Sequence, residues 1–252
     1  MSGHSKWSTI KRQKGAADIR RSQTFTKVAN AITLAAKLGG SGDANANPRL
    51  RTILEEAKSV NMPKDNIQRA IDRGLGNLPG QTIEELTYEG FGPGKVAFLV
   101  EGLTDNRLRT NQEIKYLFDR NGGNLGGPGS VSYLFDKKGE IKVRGNQARN
   151  KDDEILELMD TGAEDIEDYE EDQKKFYLIY TSSTTLNEVA KKVIDLGYTI
   201  ESQEIIFKPN ILAEINDKET AQKVLEFAEK LEEHDDVQKV FANFDIPDNL
   251  LE

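Results

Sequence analysis

The residue types that most often carry chemistry are scarce here. The 252-residue chain has no cysteine and only two histidines, His4 and His234. Disulfides, thiolate zinc sites and cysteine nucleophiles are therefore excluded. The two histidines fall in different predicted modules, so neither a two-histidine metal site nor a histidine triad is expected. GFGPGK (Gly90–Lys95) suggests a phosphate loop, but it lacks the glycine-to-lysine spacing, has Val96 where Ser or Thr belongs, and precedes a strand. It reads as a turn. NGGNLGGPGS (Asn121–Ser130) follows a helix and leads to a strand, the reverse of nucleotide-binding glycine loops. It reads as a connection, with a secondary approach to a partner's backbone left open. Residues 152–172 hold twelve acids and no Lys or Arg, but match no calcium-loop spacing and read as a solvated acidic face. No apolar pocket accompanies a pair of carboxylates to raise either pKa. No metal, cofactor or enzymatic activity is expected.

What remains is positive charge that can meet phosphate. The first thirty residues contain seven basic side chains and one acid, Asp18, with the only tryptophan, Trp7. Lys6, Lys11, Arg12 and Lys14 supply charge for a polyanion, and Trp7 can stack on an unpaired base. His4 suits a phosphate donor or a stacking ring. In the alternative reading Trp7 and Ile10 fold back onto the following helices. Arg20, Arg21, Arg49 and Lys64 extend the basic surface. In LTDNRLRT (Leu103–Thr110), Arg107 and Arg109 occupy a first helical turn, where the dipole disfavours cations. They are candidates for a secondary anion contact or for salt bridges to nearby carboxylates.

Charge is split along the chain. Residues 1–77 carry 14 Lys+Arg against 6 Asp+Glu, while the whole chain has a formal net charge of -9. A basic end on an acidic body points to an anionic partner met by one end. The longest apolar pattern is amphipathic, so no membrane span is expected. The basic, serine-containing N-terminus has the composition of a mitochondrial transit peptide.

The elements that must position these residues follow from periodicity. Residues 1–14 read as an extended arm. Phe25, Val28, Ile32 and Ala35 form the stripe of a helix from about Ala16 to Leu38, ended by Gly39-Gly40. Asn47 caps a second helix with Pro48 at its first position, carrying Leu50, Ile53, Leu54, Ala57 and Val60 inward. Pro63 opens a third with Ile67, Ala70, Ile71 and Leu75. Short amphipathic helices need one another, which gives a three-helix bundle.

Strands alternate with helices after a polar linker that runs through Leu86. Strands are expected at Lys95–Gly102, Ser130–Phe135, Glu140–Arg144, Asp165–Tyr169, Lys175–Tyr180, Tyr198–Phe207, Ile211–Ile215 and Val237–Phe244, with a turn at Asp136–Gly139. Helices are expected at Arg107–Arg120, Lys151–Thr161, Thr185–Leu196 and Lys218–Glu233. Residues 140–207 give one ferredoxin-like order of elements, and the flanking segments give a second, split by the first. The expected fold is multidomain α and α+β: an arm and three-helix bundle at 1–78, a discontinuous α+β domain at 79–136 and 208–252, and an inserted acidic α+β domain at 137–207.

SGHSKWSTIK at 2–11, FTKVANAITLAAKLGG at 25–40, NPRLRTILEEAKSVNMPKDNIQRAI at 47–71, YEGFGPGKVAFLVEGLTDNRLRT at 88–110 and DDVQKVFANFDI at 235–246 resemble the YebC family over essentially the full length. Its N-terminal motif covers Ser2 to Trp7, Lys11, Asn47, Pro48, Arg49 and Met62 to Asp65. Lys95 and Pro128 depart from the pattern of many relatives. The match begins at Ser2, leaving no room for a removable presequence. The resemblance implies a cytoplasmic bacterial protein or its organellar counterpart, without catalysis or cofactor. The family is described as probable DNA-binding transcriptional regulators, and some members as translational activators at the ribosome. The expected function is a non-enzymatic nucleic-acid-binding regulator acting on DNA. The alternatives are a ribosome-associated activator that binds ribosomal RNA through the arm, and an adaptor whose acidic body docks a basic partner. No membrane or small-molecule substrate is expected, and the oligomeric state reads as a monomer or weak dimer.

Overall fold

The computed structural model describes residues 17–79, 82–171 and 173–250. The chain forms two compact units. One takes in the described residues up to Ser132, then Ile215–Val240 and the end from Ile246; the other takes in Tyr133–Glu214 and Phe241–Asp245.

The first unit begins with α1 (Ala17–Gly39), α2 (Pro48–Ser59) and α3 (Lys64–Gly74). Val28, Ile32, Ala35, Leu50, Ala57, Ala70 and Ile71 are buried together, so the apolar stripes meet as their spacing requires. Asn47 shows why this short sequence holds its shape. Its Oδ1 accepts from Leu50 N at 3.1 Å, capping α2, while its Nδ2 donates to Ala35 O at 2.9 Å and Ser41 O at 3.1 Å. One buried amide thus satisfies a helix start and a helix end.

Beyond the bundle come β1 (Glu84–Phe91), β2 (Ala97–Thr104), α4 (Arg107–Arg120) and the short β3 (Asn124–Leu125). After the second unit the chain returns with α7 (Lys218–Glu232) and β9 (Val237–Ala242), giving a sheet of order β3-β1-β2-β9. β1 was missed in the sequence because EELTYEGF looks polar. Its outward residues are Glu84, Glu85 and Thr87, while Leu86, Tyr88 and Gly90 are buried, so only half of it signals a strand. It pairs antiparallel with β2 from Glu84↔Thr104 to Phe91↔Ala97. Phe98, Phe118 and Phe227 form an edge-to-face triad with centroids 4.9 to 6.5 Å apart, fixing α4 and α7 on the sheet. A Cβ on Gly90 would lie 2.7 Å from Phe118, and one on Gly92 2.6 Å from Phe98. These glycines make room for the rings, and Pro93–Lys95 forms the expected turn.

The second unit holds β4 (Phe135–Arg144), α5 (Lys151–Met159), β5 (Asp165–Glu171), β6 (Lys174–Ser182), α6 (Leu186–Asp195) and β7 (Thr199–Pro209). Its sheet order is β5-β6-β4-β7, with every neighbouring pair antiparallel. The short strands β8 (Ala213–Glu214) and β10 (Phe244–Asp245) pair in parallel. The strand expected at Ser130–Phe135 and the turn at Asp136–Gly139 are both corrected. Ser132–Leu134 is a 3-10 turn, and β4 runs unbroken through DKKG. Gly139 lies inside that strand because a Cβ there would come within 2.5 Å of Thr181 Oγ1 and 2.8 Å of Leu186. It marks close packing of strand and helix rather than a turn. Ile141, Val143, Tyr177, Ile179, Val189 and Val193 fill the helix-covered side of this sheet. No helix among the described residues is long and apolar enough to cross a membrane.

Candidate nucleic-acid interface and the neighbouring cleft

His4, Lys6, Trp7, Lys11, Arg12 and Lys14 lie outside the described residues. Arg20 and Arg21 stand in the first turns of α1, with the placement of their side chains also outside the description. Arg49, in the first turn of α2, is exposed and pairs with Glu85 at 2.5 Å. A solvent-facing pair of this kind contributes at most about 1 kcal/mol, so Arg49 can exchange its partner for a phosphate. Lys64 opens α3 and is exposed, as are Lys58, Arg69 and Arg73. The helical module therefore presents cations outward. Its polar side chains on α3 are occupied locally: Gln68 Nε2 donates to Asp72 at 3.1 Å, and Arg69 to Asn66 at 2.6 Å.

The bundle meets the sheet of its own unit at two places. Leu34 packs with Ile83 and Leu103. Gln23 Nε2 donates to Glu233 O at 2.9 Å and Lys27 Nζ donates to Glu232 O, so α1 caps the carbonyl end of α7. Between them lies a cleft of about 1000 Å³, lined by Gln23, Asn30, Arg73, Glu113, Tyr116 and Asp235 among others.

At the foot of this cleft the two candidate arginines part company. Arg109 Nη2 sits 2.6 Å from Asp236 Oδ2 and 3.2 Å from Asp105, and Glu113 lies 3.8 Å from its Nε. Asp236 also accepts from Thr110 Oγ1 at 2.6 Å and Thr104 Oγ1 at 3.2 Å. Burial opposes the ionisation of Asp236, but those hydrogen bonds and the Arg109 charge outweigh it and hold the carboxyl below its ordinary range. Both arginines are exposed, but Arg109 is tied to Asp236 and Asp105 by ion pairs. Asp236 and its two threonines were not legible in the sequence, because 126 residues separate Thr110 from Asp236.

Glu113, His234 and Asp236 bring three ligand atoms within 4.8 Å of one another, close enough for a metal ion. The polarity of the site argues against one. His234 Nδ1 accepts from Asp236 N at 3.1 Å, which leaves the proton of the neutral ring on Nε2, facing Glu113 at 3.0 Å. Metal-binding imidazoles show the opposite arrangement, donating from the nitrogen that does not bind. Arg109 moreover supplies the positive charge this cluster needs.

The glycine-rich connection is closed in a similar way. Glu89 is buried and its carboxylate accepts from Gly129 N at 2.9 Å, Val131 N at 2.9 Å and Ser132 N at 2.8 Å. Burial raises its pKa, yet these three amides hold it below the usual carboxylate range. The loop is an anion nest filled by the protein's own side chain.

In the second unit the acidic stretch is only partly a solvated face. Glu154 is fully buried and accepts from Lys175 Nζ at 2.8 Å, Tyr177 OH at 2.9 Å and Asn146 N at 2.8 Å. Its position on α5 looked solvent-facing because nothing local marks Lys175 as its partner. Lys208 lies over the Tyr180 ring at 3.4 Å and pairs with Asp165 at 2.7 Å.

Comparison with known proteins adds an independent line. The model for the TACO1/YebC protein N-terminal domain matches residues 5–77, and that for the TACO1/YebC second and third domain matches residues 83–244. A probable transcriptional regulatory protein of Sulfurihydrogenibium is 47% identical over 253 residues, covering 100% of this chain and 98% of the relative. One from Aquifex aeolicus is 46% identical over 253 residues, covering 100% and 99%. One from Chloroflexus aurantiacus is 47% identical over 252 residues, covering 100% and 98%. The crystal structure of a conserved hypothetical protein from Aquifex aeolicus superposes with a TM-score of 0.81 at 44% identity, covering 95% of this chain and 96% of that one.

Proposed function

The chain belongs to the TACO1/YebC family, and from that premise we propose that it is a non-enzymatic, nucleic-acid-binding regulator of gene expression that acts on duplex DNA in the cytoplasm. The observation that carries this is the charge split: 14 basic against 6 acidic residues up to Asn77, on a chain whose net charge is -9. Lys6, Lys11, Arg12 and Lys14 are the phosphate contacts of the arm, supported by Arg20, Arg21, Arg49 and Lys64 on the helices. The relatives' name, probable transcriptional regulatory protein, supports transcription as the process. The remainder is divided, in the same proposal, into a discontinuous α+β domain (79–136 and 208–252) and an inserted one (137–207), which keep like charge away from the polyanion.

A second reading has its own observation. The exposed face of α3 offers no free set of Arg, Asn or Gln for base edges, its Gln68 and Arg69 being engaged locally. Phosphate contact with an arm tryptophan suits structured RNA with unpaired bases, such as ribosomal RNA. Retention of the full chain on duplex DNA, on structured RNA and on ribosomes across a salt series tests both. The DNA reading requires duplex retention that falls steeply with salt. Ribosome co-sedimentation lost in Trp7→Ala/Lys6→Ala, with weak and flat DNA binding, would replace it by the RNA reading. No retention on any of the three at low salt would defeat both.

A further inference from the structure

The sheet of the second unit carries its helices on one side. α5 and α6 both pack on the side of Ile141, Val143, Tyr177 and Ile179. Strand residues alternate between faces, so Glu140, Lys142, Phe176, Leu178, Tyr180 and Ile206 lie on the other. Although neither helix covers them, Phe176, Leu178, Tyr180 and Ile206 are no more than 7% exposed. Lys142 Nζ lies 4.3 Å from the Phe176 ring centroid, and Lys208 Nζ 3.4 Å from that of Tyr180. The face is thus an aromatic and aliphatic strip under a layer of charge.

Two carboxylates oppose each other at its centre. Glu140 of β4 stands directly across from Glu204 of β7. Like charges so placed repel, and Glu140 is only 7% exposed, so water screens the repulsion poorly. The lysines of the face lean the other way, onto acids on or beside β5. Lys138 meets Glu164 at 2.7 Å, Lys142 meets Glu171 at 3.3 Å and Lys208 meets Asp165 at 2.7 Å. The β4–β7 half of the face therefore calls for a cation, on a segment that also has an apolar side chain for the strip.

The chain itself supplies such a segment. Residues 1–16 precede the described part and hold Lys6, Lys11, Arg12 and Lys14, with Trp7, Ile10 and no acid. Extended, such a segment reaches about 50 Å, against about 30 Å across a unit of this size. A tether holds it at roughly millimolar effective concentration, so weak ion pairs suffice.

We propose that this arm docks on the helix-free face of the second unit's sheet, with one of its cations between Glu140 and Glu204 and Trp7 on the aromatic strip, and that nucleic acid must displace it. The same cations cannot hold carboxylates and phosphates at once, so the docked arm is self-masking. The masking rests on the arm being the nucleic-acid contact; the docking does not.

Trp7 is the only tryptophan, so tryptophan emission of the full chain reports on the arm alone. In the wild type without nucleic acid, emission should be blue-shifted and protected from acrylamide. Glu140→Gln/Glu204→Gln relieves the repulsion, so it should fold at least as well, yet release the arm. Its emission should move to the red, with quenching several-fold stronger. The Lys6/Lys11/Arg12/Lys14 to alanine variant should show the same release with the sheet untouched. A solvent-exposed Trp7 in the wild type would overturn the docking. So would a protected Trp7 that responds to neither variant, which places the ring on the bundle. In parallel, Glu140→Gln/Glu204→Gln should bind nucleic acid several-fold more tightly than the wild type, and equal affinities would overturn the masking. If neither protein binds nucleic acid while Trp7 is released in the variant, the nucleic-acid reading fails and the docking stands.

Discussion

The helical module and the second compact unit treat their cations in opposite ways. In the second unit most described lysines and arginines of the sheet have a carboxylate: Lys138 with Glu164, Lys142 with Glu171, Arg144 with Glu201, Lys175 with Glu154, Lys208 with Asp165 and Glu167. Lys142 and Lys208 also lie over aromatic rings, their stems covering the sheet. On the bundle, Lys58, Lys64 and Arg73 face solvent and Arg49 holds a single exposed partner. Cations of the second unit's sheet are mostly tied into carboxylate pairs, whereas Lys58, Lys64 and Arg73 of the bundle face solvent. Net charge alone would not reveal that difference, because both regions are rich in charged residues.

The sharpest way to break the contrast is to remove an internal charge. Glu154→Ala leaves Lys175 and Tyr177 without their shared acceptor in a buried site, and should destabilise the second unit by about 3–5 kcal/mol. Denaturant unfolding measures this, and nucleic-acid affinity per folded molecule should not change. Trp7→Ala comes next. On RNA with unpaired bases it should lose about 1–3 kcal/mol of binding, and on duplex DNA very little. Equal losses on both would favour the alternative in which Trp7 packs on the bundle.

The pH dependence gives an intermediate effect. Glu89, Glu154 and Asp236 each have a folded pKa held below the ordinary value. Their stabilisation is therefore fully present at neutral pH and is lost as pH falls through those depressed values. Asp236→Asn should cost about 1–3 kcal/mol at neutral pH and flatten the acid limb of the stability curve. An unchanged acid limb would show that the Arg109–Asp236 network is not the source. The smallest effect belongs to Arg49→Ala: stability changed by less than about 1 kcal/mol, with the salt slope of binding shallower by about one unit.

How much of this was legible in the sequence depended on how local the cause was. Asn47-Pro48 and the stripe from Phe25 to Ala35 are decided within a few residues, and the helices appear where the spacing put them. β1 is hidden in the sequence because Glu84, Glu85 and Thr87 are exposed and one of its buried residues is itself an acid, Glu89. DKKG was misread because a glycine required by Leu186, a distant residue, is indistinguishable in sequence from a turn glycine. The same holds at the sites. Arg107 and Arg109 are visible in the sequence as an anomaly in a first turn, but that Arg109 is the one paired depends on Asp236, far along the chain. Glu89 carried no signal, since a filled amide nest exists only once the chain has folded.

The central claim is that available cations at the N-terminal end, rather than the acidic body, engage nucleic acid. Its most direct test is the slope of log affinity against log salt for the full chain and for a Lys6/Lys11/Arg12/Lys14 to alanine variant, on the nucleic acid retained best. The account predicts a wild-type slope steeper than that of the variant by about three to four units, with unfolding curves that coincide. Equal slopes in the two proteins, with both folded and both binding, would contradict it.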